Sequence, residues 1–159
     1  MSLQSPQQSR IERLIAITRV VMAIAALLAI WLDPSQPARY ARVAYASLTC
    51  YLAYALALAL LAWQAVVSLR HLRLTTHVLD LAFFSFLIYL TEGPASPFFV
   101  YFVFSLVCAT LRWRWYGTLW TAVAALTMFI GMGVYGATLL RDPSFAVHRV
   151  VIRAVYLAL

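Results

Sequence analysis

The sequence contains no lysine and few acids. All 12 basic residues are arginine, and only five of the 159 residues are aspartate or glutamate. No acid pair and no nucleophile–base pair stands out, which argues against the common acid–base and covalent catalytic arrangements. Polar stretches are also missing after Arg10, so we expect no separate soluble domain in these residues.

Cysteine and histidine are scarce as well. Cys50 and Cys108 lie at unmatched depths of two different apolar runs, so we expect packing roles and no disulfide. His71 and His77 lie close together but lack further ligands, which argues against a zinc or haem site. The sequence therefore predicts no metal site.

Apolar residues are abundant: 65% of the chain is hydrophobic and 11% is charged. Apolar runs long enough to cross a bilayer recur along the whole length, which is typical of a polytopic helical membrane protein. The alternating stretch Tyr51–Trp63 lies inside a run too long for a strand, and we interpret it as helix. The net charge of +7 is spread over both ends of the spans, which favours contact with anionic membrane lipid and argues against nucleic acid.

The order of runs and breaks predicts an all-α integral membrane domain, a six-helix transmembrane bundle covering residues 1–159. Segments rich in proline, glycine or arginine separate the runs, including RWRWYG at residues 112–117. The last run stops at Leu159, and we expect that it is a truncated helix of a longer protein with an output domain beyond it. The alternative is a free-standing relative. The predicted spans are 14–32, 41–69, 74–90, 96–111, 119–140 and 147–159.

Arginine placement predicts the orientation. With a cytoplasmic N-terminus, six arginines fall inside and four outside, in agreement with the positive-inside rule. The inside set is Arg10, Arg13, Arg70, Arg73, Arg112 and Arg114, and the outside set is Arg39, Arg42, Arg141 and Arg149.

Two charged residues lie inside predicted spans. Arg19 is in the first and Asp80 in the third, at nearly equal depth, so we expect them to pair. The pair is interpreted as a structural ion pair that fixes helix order, with a proton relay or signalling element as the alternative. Near the outer face, Arg149 or Arg153 could reach Glu92, unless Arg149 only extends to lipid headgroups.

The connector TEGPASPFF, residues 91–99, joins the third and fourth spans. Ser96 followed by Pro97 is a helix-start signal, since serine can cap free amides and proline lacks an N–H. Gly93 permits the reversal that a short connector requires. The helix start is then expected to present unsatisfied amides near Phe98 to Val100, which suit a carbonyl oxygen or an anion.

Aromatic residues surround this connector. Phe98, Tyr101 and Phe102 would share one stripe of the fourth helix and face Phe86 and Tyr89 on the third. Flat rings beside polar donors would accommodate a quinone headgroup. The alternative is a capped turn over an aromatic helix–helix contact.

The segment Glu92-Gly93-Pro94-Ala95-Ser96-Pro97-Phe98 resembles the G-G-x-x-N-P-F heptapeptide of RegB-type (PrrB-type) redox-sensing histidine kinases. In that family it lies in the outer loop between the third and fourth transmembrane helices and is implicated in binding ubiquinone. Gly93, Pro97 and Phe98 match the pattern. Glu92 replaces the first glycine, and Ser96 replaces the asparagine while keeping a capping side chain.

The resemblance implies a membrane-embedded sensory input module of a two-component sensor histidine kinase, multi-pass in the bacterial cytoplasmic (inner) membrane. It also implies a homodimer, a membrane quinone as ligand, and a response regulator reached through a cytoplasmic domain. The hypothetical quinone-binding residues are Glu92, Gly93, Ser96, Pro97, Phe98, Tyr101, Phe102 and Tyr89.

These 159 residues contain no kinase machinery. None of the three histidines is followed by an acid, as a phosphoacceptor histidine usually is, and the single G-x-G lies inside an apolar run at Gly131 and Gly133. The resemblance places the kinase activity in the full-length protein. The alternatives are the sensor part of a cyclic-dinucleotide synthase, or a small polytopic transporter or scaffold protein.

Overall fold

A computed structural model describes residues 6–32, 40–64, 72–91 and 96–135, together with Ile152 and Val155. Over these ranges the chain is all-helical, with 97% of it in helix and no strand. A single 3₁₀ turn, Pro97–Phe99, precedes the last long helix. The long helices in the described ranges are α1 (Pro6–Leu32), α2 (Ala41–Gln64), α3 (Leu72–Leu90) and α4 (Val100–Tyr135).

Each of these four helices is long and apolar enough to cross a membrane. Their surfaces differ from those of a soluble protein, because many large apolar side chains are exposed. A face of that kind is stable against lipid tails, whereas water would disfavour it. The helices therefore mark the chain as a membrane protein. On α1 the exposed face carries Leu14, Ile17, Val21, Ile24, Leu28 and Trp31.

The chain forms two compact units, Met1–Thr75 and Thr76–Leu159. In the first unit, α1 and α2 pack through alanines: Ala16 lies in one buried cluster with Ala59 and Ala62. Alanine side chains let two helix backbones approach closely. Arg13 Nε donates to the Ala62 carbonyl oxygen at 3.3 Å, so the start of α1 meets the end of α2 and the two helices are antiparallel.

An ion pair joins the polar start of α1 to the start of α3. Arg73 Nε lies 3.0 Å from Glu12 Oε1, with only 13% and 7% of the two side chains exposed. The helix α1 begins at Pro6, eight residues before the predicted span, so the charged SRIER segment continues the helix. This extension carries Glu12 to the position where it meets Arg73.

In the second unit, α4 is broken at Arg114, which has φ 61° and ψ −153°. Thr110 Oγ1 lies 2.7 Å from Thr118 Oγ1. Eight residues of continuous helix would separate two such residues by about 12 Å along the axis, so the chain reverses here. The ring centroids of Phe99 and Phe129 are 5.5 Å apart, which extends the same antiparallel pairing to the far end of the hairpin.

The first half of this hairpin, residues 100–113, runs antiparallel to α3. Arg112 Nη1 donates to Thr76 Oγ1 at 3.4 Å near the start of α3. Farther along, the ring centroids of Phe84 and Tyr101 are 4.8 Å apart. The later residue on α3 therefore meets the earlier residue on α4.

The second half, residues 115–135, runs parallel to α3. His77 Nε2 lies 2.8 Å from Thr121 Oγ1, and Ser85 Oγ lies 3.1 Å from Met128 Sδ. The separation in sequence is nearly the same in the two contacts, 44 and 43 positions, as it must be when two segments run in the same direction. Up to Tyr135, the described part of the second unit is therefore a bundle of three helical segments.

The predicted boundaries differ from the structure in particular places. The helix α3 starts at Leu72, two residues before the predicted 74–90 span, and α2 is described only to Gln64 of the predicted 41–69 span. The fourth and fifth predicted spans correspond to the two halves of α4, whose break at Arg114 lies inside the predicted turn. Most of the sixth span, 147–159, lies outside the described residues. The count of six spans and their orientation stay predictions.

Gly117 is the residue that lets the two halves of α4 meet closely. A Cβ at this position would lie 2.5 Å from Trp113 Cβ and 3.2 Å from the Ala109 carbonyl oxygen. We expect Gly117→Ala to lower the free energy of unfolding by about 1.5 kcal/mol, because neither neighbouring atom can rotate away. Denaturant titration in mixed micelles measures the change.

Gly131 supplies the matched control, because a Cβ there meets nothing within 4 Å. Gly131→Ala should leave stability unchanged or raise it by up to about 1 kcal/mol, since alanine has the higher helix propensity. Equal effects from the two substitutions would contradict the close approach at Gly117.

Candidate functional site

Two buried hydroxyl groups close the connector between α3 and α4. Thr91 Oγ1 donates to the Leu87 carbonyl oxygen at 2.7 Å and lies 2.6 Å from Ser96 Oγ. Ser96 Oγ accepts a hydrogen bond from the Phe98 amide at 3.1 Å. Neither Thr91 nor Ser96 is exposed to solvent. We call this pair the clasp, since it holds together the two ends of the segment 92–95.

The donor and the acceptor of each hydrogen bond in the clasp can be assigned. A threonine hydroxyl carries one proton, and here that proton is directed to the Leu87 carbonyl. Ser96 must therefore be the donor to Thr91, while its lone pair receives the Phe98 N–H. A continuous chain of three hydrogen bonds thus runs from the first turn after the connector to the last turn of α3.

The predicted helix start at Ser96 and Pro97 is confirmed, with serine as the N-cap and proline in the first turn. The prediction of unsatisfied amides is wrong at two positions. The Phe98 N–H donates to Ser96 Oγ, and the Phe99 N–H donates to the Ser96 carbonyl oxygen at 3.4 Å. One residue serves as the acceptor for both amides, so neither is open to a ligand in this conformation. Two predicted ligand residues, Glu92 and Gly93, lie outside the described residues.

Aromatic rings pack beneath the clasp. The ring centroid of Tyr101 is 4.8 Å from that of Phe84 and 5.8 Å from that of Phe98. All three residues are at least 94% buried, and Phe104 lies beside Phe84 with 6.2 Å between centroids. We call Phe84, Phe98, Tyr101 and Phe104 the aromatic cluster. Phe102 is fully buried and pairs with Phe99 at 6.3 Å, on a second side of the same helix.

The prediction that Phe86 faces this stripe is wrong, because Phe86 is 44% exposed. The Tyr89 ring lies 6.5 Å from that of Tyr135, and its position facing the stripe stays a prediction. Phe84 takes the predicted place of Phe86. Two residues along a helix correspond to a rotation of about 200°, so Phe84 and Phe86 lie on nearly opposite faces. The face that carries Asp80, Leu81 and Phe84 is the buried one.

The charged residues predicted inside the spans are both buried. Arg19 is 2% exposed and Asp80 is 1% exposed, as expected of groups that avoid lipid. They belong to the two different compact units, and their pairing stays a prediction. The other predicted pair, Glu92 with Arg149 or Arg153, lies outside the described residues.

Sequence reasoning missed a polar contact inside the second unit. His77 and Thr121 are 4% and 5% exposed and lie 2.8 Å apart through His77 Nε2 and Thr121 Oγ1. The Trp113 ring meets the His77 ring edge-on with 5.2 Å between centroids. The contact of Thr121 could not be predicted from neighbouring residues, because its partner His77 lies 44 residues away. Among the described residues, no group of three or more His, Cys, Asp or Glu is placed to hold a metal ion.

Both cysteines are reduced, with Cys50 exposed and Cys108 buried. Comparison of the chain with protein-family models, with curated proteins and with solved structures gave no match. A functional assignment therefore depends on the residues and contacts described above.

Proposed function

We propose that this chain is the membrane-embedded sensory input module of a two-component sensor histidine kinase. The clasp carries this proposal. The two residues that border the segment 92–95 of the heptapeptide are hydrogen-bonded to each other through Thr91 Oγ1 and Ser96 Oγ, and Phe98 of the aromatic cluster follows two residues after Ser96. A short connector whose two ends are held together at a helix junction is a suitable place to receive a planar ligand.

The ligand class that fits best is a membrane quinone. Its carbonyl oxygens accept hydrogen bonds. The rings of the aromatic cluster are buried in this conformation, so the proposal requires a second arrangement of α3 and the start of α4 in which the quinone ring stacks on them. The Phe98 and Phe99 amides already donate to Ser96, so the donors proposed for the quinone are the remaining N–H groups of the heptapeptide, for example those of Gly93 and Ala95. Pro94 and Pro97 have no N–H to offer.

The proposed signal is a change in packing between α3 and the start of α4. A ligand that binds one arrangement of the clasp more tightly shifts the population toward it. The proposal includes the finer topology: six spans in the bacterial inner membrane, a cytoplasmic N-terminus, a homodimer, and an output kinase domain that acts on a response regulator. The positive-inside distribution of arginine and the heptapeptide support that arrangement.

Quinone binding can be tested by fluorescence. The chain is reconstituted in lipid nanodiscs and titrated with a short-chain ubiquinone, and quenching of its five tryptophans is followed. We expect saturable quenching, and we expect Phe98→Ala to weaken the apparent affinity by about tenfold, the effect of losing one well-packed aromatic contact. Phe98→Leu, which keeps most of the apolar volume, should weaken affinity similarly if the ring itself is required.

Phe86→Ala is the matched control. Phe86 is on α3 but 44% exposed and outside the aromatic cluster, so its loss should leave the titration unchanged. Any quenching by quinone dissolved in the lipid affects wild type and control equally. Wild-type binding by both Phe98 variants, with helix content intact, would refute the proposed site.

A further inference from the structure

The tip of the α4 hairpin holds an arginine in a conformation that glycine normally occupies. Arg114 has φ 61° and ψ −153°, the only positive φ at a non-glycine residue among the described residues. Side chains with a Cβ are strained in this region of backbone space. Gly117 lies only three residues later, yet the reversal occurs at arginine. Because glycine would relieve the strain, an arginine at this position indicates a role for its cationic side chain, such as a contact outside the protein.

Exposed aromatic rings surround the tip. The rings of Trp115 and Tyr116 stack with 3.6 Å between centroids, and the two residues are 61% and 62% exposed. Trp120, on the next turn, is 73% exposed. Tryptophan and tyrosine with this exposure concentrate at the boundary between lipid tails and headgroups. The rings therefore place the tip at headgroup depth in a membrane.

The charged residues at the tip are all positive. The sequence contains no acid between Glu92 and Asp142. Arg112 turns inward, donating to Thr76 Oγ1 and lying 5.9 Å from the centroid of the Trp113 ring. Arg114 is exposed, and no described carboxylate lies within ion-pair distance of it. Within the described residues, its guanidinium is thus an exposed cation without a carboxylate partner.

We propose that Arg114, flanked by the stacked Trp115 and Tyr116 rings, binds the phosphate of an anionic phospholipid headgroup. The planar guanidinium can donate two parallel hydrogen bonds to a phosphate, and the rings hold it at the depth where lipid phosphates lie. An anionic phospholipid is the proposed ligand because its negative charge complements the guanidinium and its phosphate lies at the depth of the aromatic rings. The site is separate from the proposed quinone site and does not depend on it.

The test compares the affinity of the reconstituted full chain for spin-labelled phosphatidylglycerol and spin-labelled phosphatidylcholine by electron paramagnetic resonance. In wild type we expect phosphatidylglycerol to be preferred. Arg114→Gln should reduce the preference about fivefold at low salt, the contribution of one basic residue at a membrane surface. Arg114→Lys, which keeps the charge but cannot donate two parallel hydrogen bonds, should retain only part of it. Arg42→Gln removes an exposed arginine from the first turn of α2 and should change it little.

A glycine variant separates the lipid contact from the fold. Arg114→Gly relieves the strained backbone, so its Tm in zwitterionic detergent should rise by a few degrees while the preference for phosphatidylglycerol falls as in Arg114→Gln. An unchanged preference in Arg114→Gln, or an equal loss in Arg42→Gln, would overturn the proposal. A lower Tm in Arg114→Gly would do so too, because the side chain would then be retained for folding.

Discussion

Replacing Glu12 by glutamine is expected to lower the free energy of unfolding by about 3 kcal/mol, the largest effect we expect from a single substitution. Glutamine keeps the shape of the side chain but removes the charge that faces Arg73 at 3.0 Å. Both side chains are largely buried, so the guanidinium would keep its desolvation cost without its counter-charge. Denaturant titration in mixed micelles, followed by circular dichroism, measures the loss.

A double substitution separates the charge from the packing. Glu12→Leu with Arg73→Leu removes both charges, and stability should return close to wild type, since apolar side chains of similar size often replace a buried ion pair without loss. Arg10→Gln, at an exposed position on the same helix, should change stability by less than about 0.5 kcal/mol. A double variant no more stable than Glu12→Gln would show that the contact matters for shape instead of charge.

The clasp provides the second large effect. Thr91→Val keeps the branched shape of the side chain but removes the hydroxyl that donates to Leu87 and accepts from Ser96. The buried serine hydroxyl then loses its hydrogen bond to Thr91, and we expect a loss of about 2 kcal/mol. Ser96→Ala should cost a similar amount, because it removes the cap from the Phe98 amide as well.

Thr127→Val is the control for the clasp. Thr127 also donates to a carbonyl four residues earlier, at 2.7 Å, but its side chain is exposed and it has no second hydroxyl partner in the described contacts. Valine on a lipid-facing surface should be neutral or slightly stabilising. If Thr91→Val and Thr127→Val behaved alike, the hydrogen-bond chain through Ser96 would contribute nothing beyond an ordinary helical threonine.

Features determined by neighbouring residues could be predicted from the sequence. The start at Ser96 and Pro97 was predictable because a cap bonds to an amide two residues away. The break at Arg114 fell within RWRWYG, where paired arginines and a glycine interrupt an apolar run. The apolar character of the helices followed from composition, because side chains that contact lipid must be apolar at every exposed position.

Features that depend on distant residues could not be predicted in the same way. The rest of α1 and all of α2 lie between Glu12 and Arg73 in the sequence. The sequence pattern indicated only that Arg73 contributes to membrane orientation. His77 and Thr121 meet only because the α4 hairpin brings its second half back along α3. A sequence pattern contains no information on such a meeting until the packing of the helices is known.

The choice between Phe84 and Phe86 illustrates an intermediate case. The third helix has aromatic residues on several faces, so ring density alone could not identify the face that meets α4. The period of the buried residues identifies it: Thr76, Asp80, Phe84 and Leu87 follow helical spacing, and Phe86 does not. Asp80, the charge that cannot face lipid, was the signal that would have selected Phe84.

The alanine contact between α1 and α2 has a consequence for lengthwise motion. Methyl groups form low ridges, so this interface resists separation better than it resists sliding along the helix axes. Near one end of α1, Glu12 meets Arg73 and Arg13 meets the Ala62 carbonyl. These two polar contacts lie within a single turn of α1 and oppose its displacement along the axis.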